Sequence, residues 1–401
     1  MREAEEKPFS RRALILPIYF PAFLLSVAHG ILIPTFPLYV KSFEAALGWI
    51  GLAIAAPQIG ALVFNVPAGM LTERTGRRLS MLIGAAVLAV TTAGIGLSRT
   101  FIELVGYQLL SGVGAALWGI SRHAYMADVI PIPERGRSLA MFGGVNRVGT
   151  FIGPALGGYV GMAYGLRVPF FLCSGILAIN LLICLRYIAE PKGHVISTQR
   201  LQLRQFMDVL KANWRVLTTA GAAQVCGQTL RAGRYLIIPL YGSDVVGLNV
   251  KAVGLIVSIS SFVDMSLFPA AGYIMDRFGR RYATVPCFFI FATGMALVPF
   301  THSYMTLLLA TIVIGFGNGI GSGTMMTLGA DLAPPERRGE FLGVWRLIGD
   351  VGGMTGPLIV GQIAQLTSLA ASAAALSGIG YIGVAIFLWL VPETLRGSGE
   401  R

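Results

Sequence analysis

The stretch Gly69-Met70-Leu71-Thr72-Glu73-Arg74-Thr75-Gly76-Arg77-Arg78 sets Glu73, Arg74, Arg77 and Arg78 between two long apolar runs. It returns 203 residues later (69 to 272) as Gly272-Tyr273-Ile274-Met275-Asp276-Arg277-Phe278-Gly279-Arg280-Arg281, in a chain of 401 residues. Self-similarity at about half the chain length marks a tandem duplication. The pattern is that of a tight basic turn between two membrane helices. Glycines such as Gly69, Gly76 and Gly279 permit the turn, the arginines stay in water, and Glu73 or Asp276 neutralises one of them.

Outward from these turns the two halves keep matching. Pro37-Leu38-Tyr39 answers Pro239-Leu240-Tyr241, and Gly51-Leu52 answers Gly254-Leu255. Ala127-Asp128 with Pro133-Glu134-Arg135 answers Ala330-Asp331 with Pro335-Glu336-Arg337, and Gly153-Pro154 answers Gly356-Pro357.

Composition places the chain in lipid: 55% of its residues are hydrophobic and 12% charged, against about 25% charged in a soluble domain. Apolar runs at 13–40, 48–70, 79–98, 103–126, 138–162, 168–188, 213–241, 252–273, 282–300, 304–328, 340–364 and 370–391 are each of the length, roughly 20 residues, that crosses a hydrocarbon core as a helix. The expected fold is an all-α polytopic membrane protein with twelve transmembrane helices in two six-helix pseudo-symmetric halves. Its expected parts are a tail (1–12), an N-terminal six-helix domain (13–188), a linker (189–212), a C-terminal six-helix domain (213–391) and a tail (392–401). Within the linker region, Gln199 to Arg215 has the amphipathic pattern of a short helix lying on the membrane surface.

Of the 31 Lys and Arg, with Arg186 and Arg215 at the run ends counted with the turns, 22 fall in the tails and the turns of one side, 4 in the turns of the other and 5 deeper inside the runs. The positive-inside rule then puts both termini in the cytoplasm, across a cell (inner or plasma) membrane. Basic residues scattered over short turns give no nucleic-acid face. Met1 to Arg12 mixes acids with bases, and the apolar run after it is too long for a secretory signal. Cys173, Cys184, Cys226 and Cys287 lack CxxC or His partners, so no metal, disulfide or cofactor is expected.

The repeated turn resembles the loop between helices 2 and 3 of the major facilitator superfamily, Gly-x-x-x-Asp-Arg-x-Gly-Arg-Arg, with Glu73 in place of the Asp. The resemblance implies a transporter of two rocking halves around a central site. It implies also that Glu73, Arg77 and Asp128, mirrored by Asp276, Arg280 and Asp331, latch the outward-open state. Gly149, Gly153, Pro154, Gly157 and Gly158 fall in a Gly-x-x-x-Gly-Pro-x-x-Gly-Gly spacing similar to the helix 5 motif of the drug:proton antiporter branch, which points to export. Gln108 stands where that branch commonly carries an Arg tied to proton handling, so the likeness does not extend to that route of coupling.

Charges at membrane depth need a cavity or a partner, since each costs roughly 2.5 to 3.5 kcal/mol at a helix centre. The runs hold Arg122, Arg147, Arg231, Arg234, Asp264, Arg346 and Asp350, with His29 as a further titratable group. The excess of arginine favours an anionic group on the substrate. Trp118, Arg122 and Tyr125 fall on one helical face, as do Gln224, Gln228, Arg231 and Tyr235; both faces are expected as cavity walls. Arg346 and Asp350, one turn apart, either serve coupling or neutralise each other, and His29 is either a proton site or a helix contact. Arg147 and Asp264 lie at matched heights on runs five and eight. They are expected as an interdomain ion pair, with the alternative that Arg147 binds substrate and Asp264 handles a proton.

No HExxH, GxSxG or Walker pattern is present, so neither an enzyme nor ATP-driven transport is expected. The function expected is secondary active transport of small organic molecules by alternating access, proton-coupled efflux first and uptake or facilitated passage of an organic anion as the alternative. The expected partners are the lipid bilayer, the small-molecule substrate and protons, and the protein is expected as a monomer.

Overall fold

A computed structural model of the chain describes residues 14–190, 203–321 and 323–395. After a π-helical turn (Ile15–Tyr19), the N-terminal half runs α1 (Phe20–Lys41), α2 (Leu47–Thr75), α3 (Arg77–Leu97), α4 (Phe101–Val129), α5 (Ile132–Tyr164) and α6 (Val168–Tyr187). The short α7 (Leu203–Ala212) precedes the C-terminal half. That half comprises α8 (Trp214–Asp244), α9 (Val250–Arg277), α10 (Arg280–Leu297), the broken pair α11 (Tyr304–Ile320) and α12 (Thr324–Leu332), α13 (Arg338–Leu366) and α14 (Leu369–Trp389). Counting α11 with α12, twelve helices are long enough to cross a membrane.

Among the described residues, ten of these spans are apolar enough to cross by composition alone. The other two, α5 and α8, carry the polar side chains Asn146, Arg147, Gln224, Gln228, Arg231 and Arg234. Those groups are tolerated because they are turned toward protein and not lipid. The helices also run past the apolar runs into the basic turns: α5 begins at Ile132 and α9 ends at Arg277. Helical hydrogen bonding satisfies the backbone in the headgroup region as well as in hydrocarbon, so the helices do not stop where the hydrophobicity does.

The internal repeat is also a repeat of packing. Helix α1 packs on α5 and α6, α2 on α4, and α3 on α4 and α6; in the other half α8 packs on α13 and α14, α9 on α11, and α10 on α11 and α14. The halves meet through two equivalent seams, α5 against α9 and α2 against α13. Four of the six helix starts at the end away from the basic turns are capped by side chains: Thr100 on α4, Asn249 on α9, Ser303 on α11 and Ser368 on α14 each accept a backbone N–H of the first turn, while α2 and α6 have no side-chain cap.

Two expectations need amendment. Helix α7 forms, but Val209 is buried in the same core cluster as Leu217, Phe341 and Val344, so part of its apolar face meets protein instead of lipid. Residues 199–202 of the expected amphipathic stretch, like the tail before residue 14, lie outside the described residues. The tenth span is interrupted between Ile320 and Thr324: α11 ends at Ile320, and Gly323, at φ +81°, immediately precedes α12.

Candidate functional site

Between the halves lies a cavity of about 450 Å³. Its wall is mostly apolar, with His29, Gln58, Asn65, Gln108 and Ser111 contributed by the N-terminal half and Tyr235, Arg346 and Asp350 by the other. A largely apolar wall with a few placed polar groups suits an organic molecule of modest size. The His29 and Tyr235 rings meet edge to face across the cavity, centroids 6.3 Å apart. Asn65 Nδ2 donates to Asp350 Oδ2 at 3.4 Å, joining the halves a second time. No ion pair joins Arg346 to Asp350 among the described residues; both side chains reach the cavity separately.

The two expected polar faces divide. Of Gln224, Gln228, Arg231 and Tyr235, Tyr235 alone lines the cavity. Gln224 and Gln228 are pressed against α13 at Gly349 and Gly352. Arg231 turns into its own half, where Nε donates to Asn318 Oδ1 at 2.9 Å and Nη2 to the Gly321 carbonyl at 3.4 Å. That carbonyl, at the break between α11 and α12, also accepts from Thr324 N at 3.3 Å and Thr324 Oγ1 at 2.8 Å. On α4, Trp118 and Tyr125 are buried in the core of the N-terminal half with Met81 and Phe142. Arg122 lies over the Phe142 ring at 4.4 Å and donates to His123 Nε2 at 3.2 Å. The spacing of both stripes is helical as expected. Which face turns to the cavity is decided by the glycines that let α8 and α13 approach, and no stripe on one helix contains that information.

Sequence reasoning passed over Gln58, Asn65, Gln108 and Ser111 as site residues, because it looked for charge. Their signal was available: Gln58 and Asn65 are seven apart, and Gln108 and Ser111 three apart, on otherwise apolar helices. The Ser111 hydroxyl donates to the Gln108 carbonyl at 2.8 Å.

The α5 and α9 seam is polar at its centre. Arg147 Nη1 donates to Asp264 Oδ1 at 2.7 Å, and Asn318 Nδ2 donates to Asp264 Oδ2 at 2.9 Å. Arg147 also lies 4.9 Å from the Phe268 ring. Farther along, Pro154 disturbs the ladder of α5, and the Ser258 hydroxyl of α9 enters it, accepting from Ala155 N at 2.8 Å and donating to Phe151 O at 2.7 Å. A hydroxyl inserted in this way satisfies the two groups that the kink separates. The remaining glycines of the expected packing motif split between two partners: Gly149, Gly153 and Gly157 face α1, and Gly158 faces α9.

At the basic end the repeat extends to the bonding. Arg77 Nε donates to Asp128 Oδ2 at 3.2 Å, and Arg280 Nε to Asp331 Oδ2 at 2.9 Å. Arg280 Nη1 reaches Asp276 Oδ1 at 3.1 Å as well. Arg78 donates to the Leu185 carbonyl at 3.0 Å and Arg277 to the Tyr273 hydroxyl at 2.7 Å. Gly76 and Gly279 turn the chain at φ +89° and +116°. Gly69 and Gly272, in contrast, sit inside α2 and α9 with nothing near them, so they take no part in the turn.

Two residues complete these corners that the motif did not include. The Glu190 carboxylate accepts from the backbone N–H groups of Arg77 and Arg78 at 2.7 and 2.9 Å. Glu393 does the same for Arg280 and Arg281 at 2.8 and 2.9 Å. They are themselves 203 residues apart (190 to 393), so the repeat offset alone would have found them. Each places a negative charge on the positive end of a helix, α3 or α10. Partial burial raises the Glu393 pKa, but the backbone N–H groups of Leu395, Arg281, Arg280 and Thr394 outweigh it and hold the carboxyl below its usual value. A depressed folded pKa contributes stability that is full above the ordinary glutamate value of about 4.3 and is lost as pH falls through the lower, folded one. Thermal unfolding of the detergent-solubilised protein should therefore show Glu393→Gln about 2 °C below wild type at pH 7, and the gap should narrow progressively as pH falls below about 4.3.

The seams show which end is closed. Lys41 and Asp244 form an ion pair at 2.6 Å at the end away from the basic turns. A Cβ on Gly158 would lie 3.1 Å from Gly254 Cα, and one on Gly361 3.0 Å from Gly51 Cα. Among the described residues, Gly69, Gly144, Gly272 and Gly343 of the same four helices at the basic end have nothing within 4 Å of such a position, while one on Gly143 would meet only the Phe268 ring edge, at 3.8 Å. The halves are packed backbone to backbone at one end and stand apart at these positions of the other.

A family model, the Major Facilitator Superfamily, matches residues 18–263 and 226–400. Multidrug resistance protein MdtG of Proteus mirabilis (strain HI4320) is 26% identical over 357 residues, covering 85% of this chain and 87% of MdtG. Among solved structures, the nucleoside transporter NupG superposes with a TM-score of 0.78 at 14% identity, covering 94% of this chain and all of NupG (100%). The human organic anion transporter MFSD10 (TETRAN) does so with a TM-score of 0.71 at 17% identity, covering 95% and 100%. These two likenesses concern the fold.

Proposed function

The chain belongs to the major facilitator superfamily, and from that premise we propose that it exports small organic molecules across the cell (inner or plasma) membrane in exchange for protons. Both termini and the basic turns face the cytoplasm in this reading. The observation that carries it is the cavity shared by the two halves, sealed by glycine contacts and the Lys41 to Asp244 pair at the end away from the basic turns. Such a state receives substrate from the cytoplasm, and rocking about the seams releases it on the other side. The glycine-rich fifth span and the likeness to a multidrug resistance protein support the outward direction.

Asp350 is the carboxylate in the cavity wall among the described residues, and His29 lines the same cavity from the other half. These two are the groups assigned to the proton. Protonation of Asp350 removes the negative charge from a wall that also carries Arg346, so proton and substrate each change the balance of charge in one cavity. The second reading, passage of an organic anion without a proton gradient, is favoured by Arg346 in the wall. Inside-out vesicles decide between them with a cationic tracer, ethidium, and an anionic one, fluorescein. Under export, an acid-lumen gradient speeds uptake of at least one tracer about tenfold, and Asp350→Asn removes the acceleration. Uptake that ignores the gradient while saturating with tracer supports the second reading, and no saturable uptake of either tracer sinks both.

A further inference from the structure

Resting on the reading of the cavity as the substrate site, we propose that Arg122 of α4 and Arg346 of α13 form a two-jawed clamp for one anionic group, a carboxylate, sulfonate or phosphate ester. The two arginines belong to opposite halves. Arg346 passes so close to α4 that a Cβ on Gly119 would lie 3.7 Å from its Nη2; Gly119 is one turn before Arg122. Two like charges have therefore been brought together at membrane depth, an arrangement that costs free energy unless something negative joins them.

The protein supplies too little to do so. Arg346 donates no hydrogen bond among the described residues and reaches into the cavity. Arg122 spends Nη2 on His123, has Phe142 against one face, and leaves Nε buried without an acceptor. Asp350 lies near Arg346 on the same helix, but its carboxylate is directed to Asn65 at 3.4 Å. Asp264 is occupied by Arg147 and Asn318. What remains is a guanidinium with spare donors on each half, Arg346 in the cavity wall and Arg122 on the helix that Arg346 approaches, and such groups suit the oxygens of one small anion.

The position of the clamp gives it a second consequence. It lies on the basic-end side of the Arg147 to Asp264 pair, where the halves begin to part. Without an anion the arginines hold α4 and α13 apart; with one they attract through it. Occupancy thus favours closure of the basic end, so the charged substrate supplies the bias for its own translocation.

The test uses the full chain in detergent and a matched pair of probes, 2-naphthoxyacetate and its uncharged amide, with affinity read by calorimetric titration. Wild type should bind the acid about tenfold more tightly than the amide, the value of one charge-assisted hydrogen bond. Arg346→Gln and Arg122→Gln should each bring that ratio close to one with the amide affinity unchanged, and Arg346→Lys should keep part of it. Should Arg122→Gln fail to fold, the exposed Arg346 carries the test alone. A wild-type protein that does not prefer the acid, or an Arg346→Gln variant that weakens acid and amide equally, overturns the clamp. Gradient-driven ethidium transport persisting alongside that result leaves the exporter reading intact, so the two fail separately.

Discussion

Arg147→Asp and Asp264→Arg should each reduce transport at least about a hundredfold, and the double swap should bring it back to within about tenfold of wild type. Both side chains are mostly buried, 21% and 13% exposed, and removing one partner of such a pair typically costs 3–5 kcal/mol because the other charge is left without compensation. In either single variant two like charges face each other across the α5 and α9 seam. The swap restores attraction along the same line. Recovery stays incomplete for a stated reason: Asn318 donates to Asp264 while accepting from Arg231, and an arginine at position 264 meets that amide donor to donor. Initial rates of tracer uptake in vesicles, at matched protein levels, measure all four proteins. A swap no better than its parents would mean that Arg147 serves the substrate and not Asp264.

This pair was legible in the sequence, because the repeat and the apolar runs placed one charge on each of two facing spans at similar height. Its true depth was not. Arg147 stands 15 residues above Ile132 and Asp264 13 below Arg277, about 22 and 20 Å along their helices at 1.5 Å per residue. Inner ends placed at Ser138 and Ile274, where the apolar runs stop, give 9 and 10 residues, since helices continue into the headgroups where hydrophobicity ends. The Arg77 to Asp128 and Arg280 to Asp331 pairs were likewise readable, as two residues at the same offset in both halves. Glu190 and Glu393 were readable by the same offset but bind backbone N–H groups, so no complementary side chain drew attention to them. The cavity was the least legible part. Arg231 and Tyr235 share a helical face by spacing, yet one turns to Asn318 and the other to the cavity. That division depends on how closely α8 approaches α11 and α13, a property of two helices together.

Gly158→Leu should abolish the closed end seen here and with it transport. Gly158 and Gly254 form one contact of the α5 and α9 seam, and their repeat equivalents Gly361 and Gly51 form the same contact between α13 and α2. A Cβ on Gly158 would lie 2.7 Å from the Val250 carbonyl oxygen as well as 3.1 Å from Gly254 and Lys251 Cα. All three neighbours are backbone, so no side chain can swing away, and Ser258 holds α9 to α5 one turn nearer the basic end. The helices must therefore separate at this end. Overpacking of this kind costs about 1–3 kcal/mol, which disfavours the closed state about tenfold to a hundredfold relative to one open at that end. The measurement is the rate at which a membrane-impermeant maleimide, added on the side away from the basic turns, labels Ile54→Cys, a cavity residue on α2. Labelling should rise at least about tenfold in Gly158→Leu while transport falls about a hundredfold. Gly361→Leu should reproduce both effects through the equivalent seam, because either wedge opens the same end. Gly175→Leu, where nothing lies within 4 Å, should change neither by more than about twofold. Labelling that stays at the wild-type rate in Gly158→Leu would show that the glycine seams do not hold this end shut, and would leave the Lys41 to Asp244 pair as the closure.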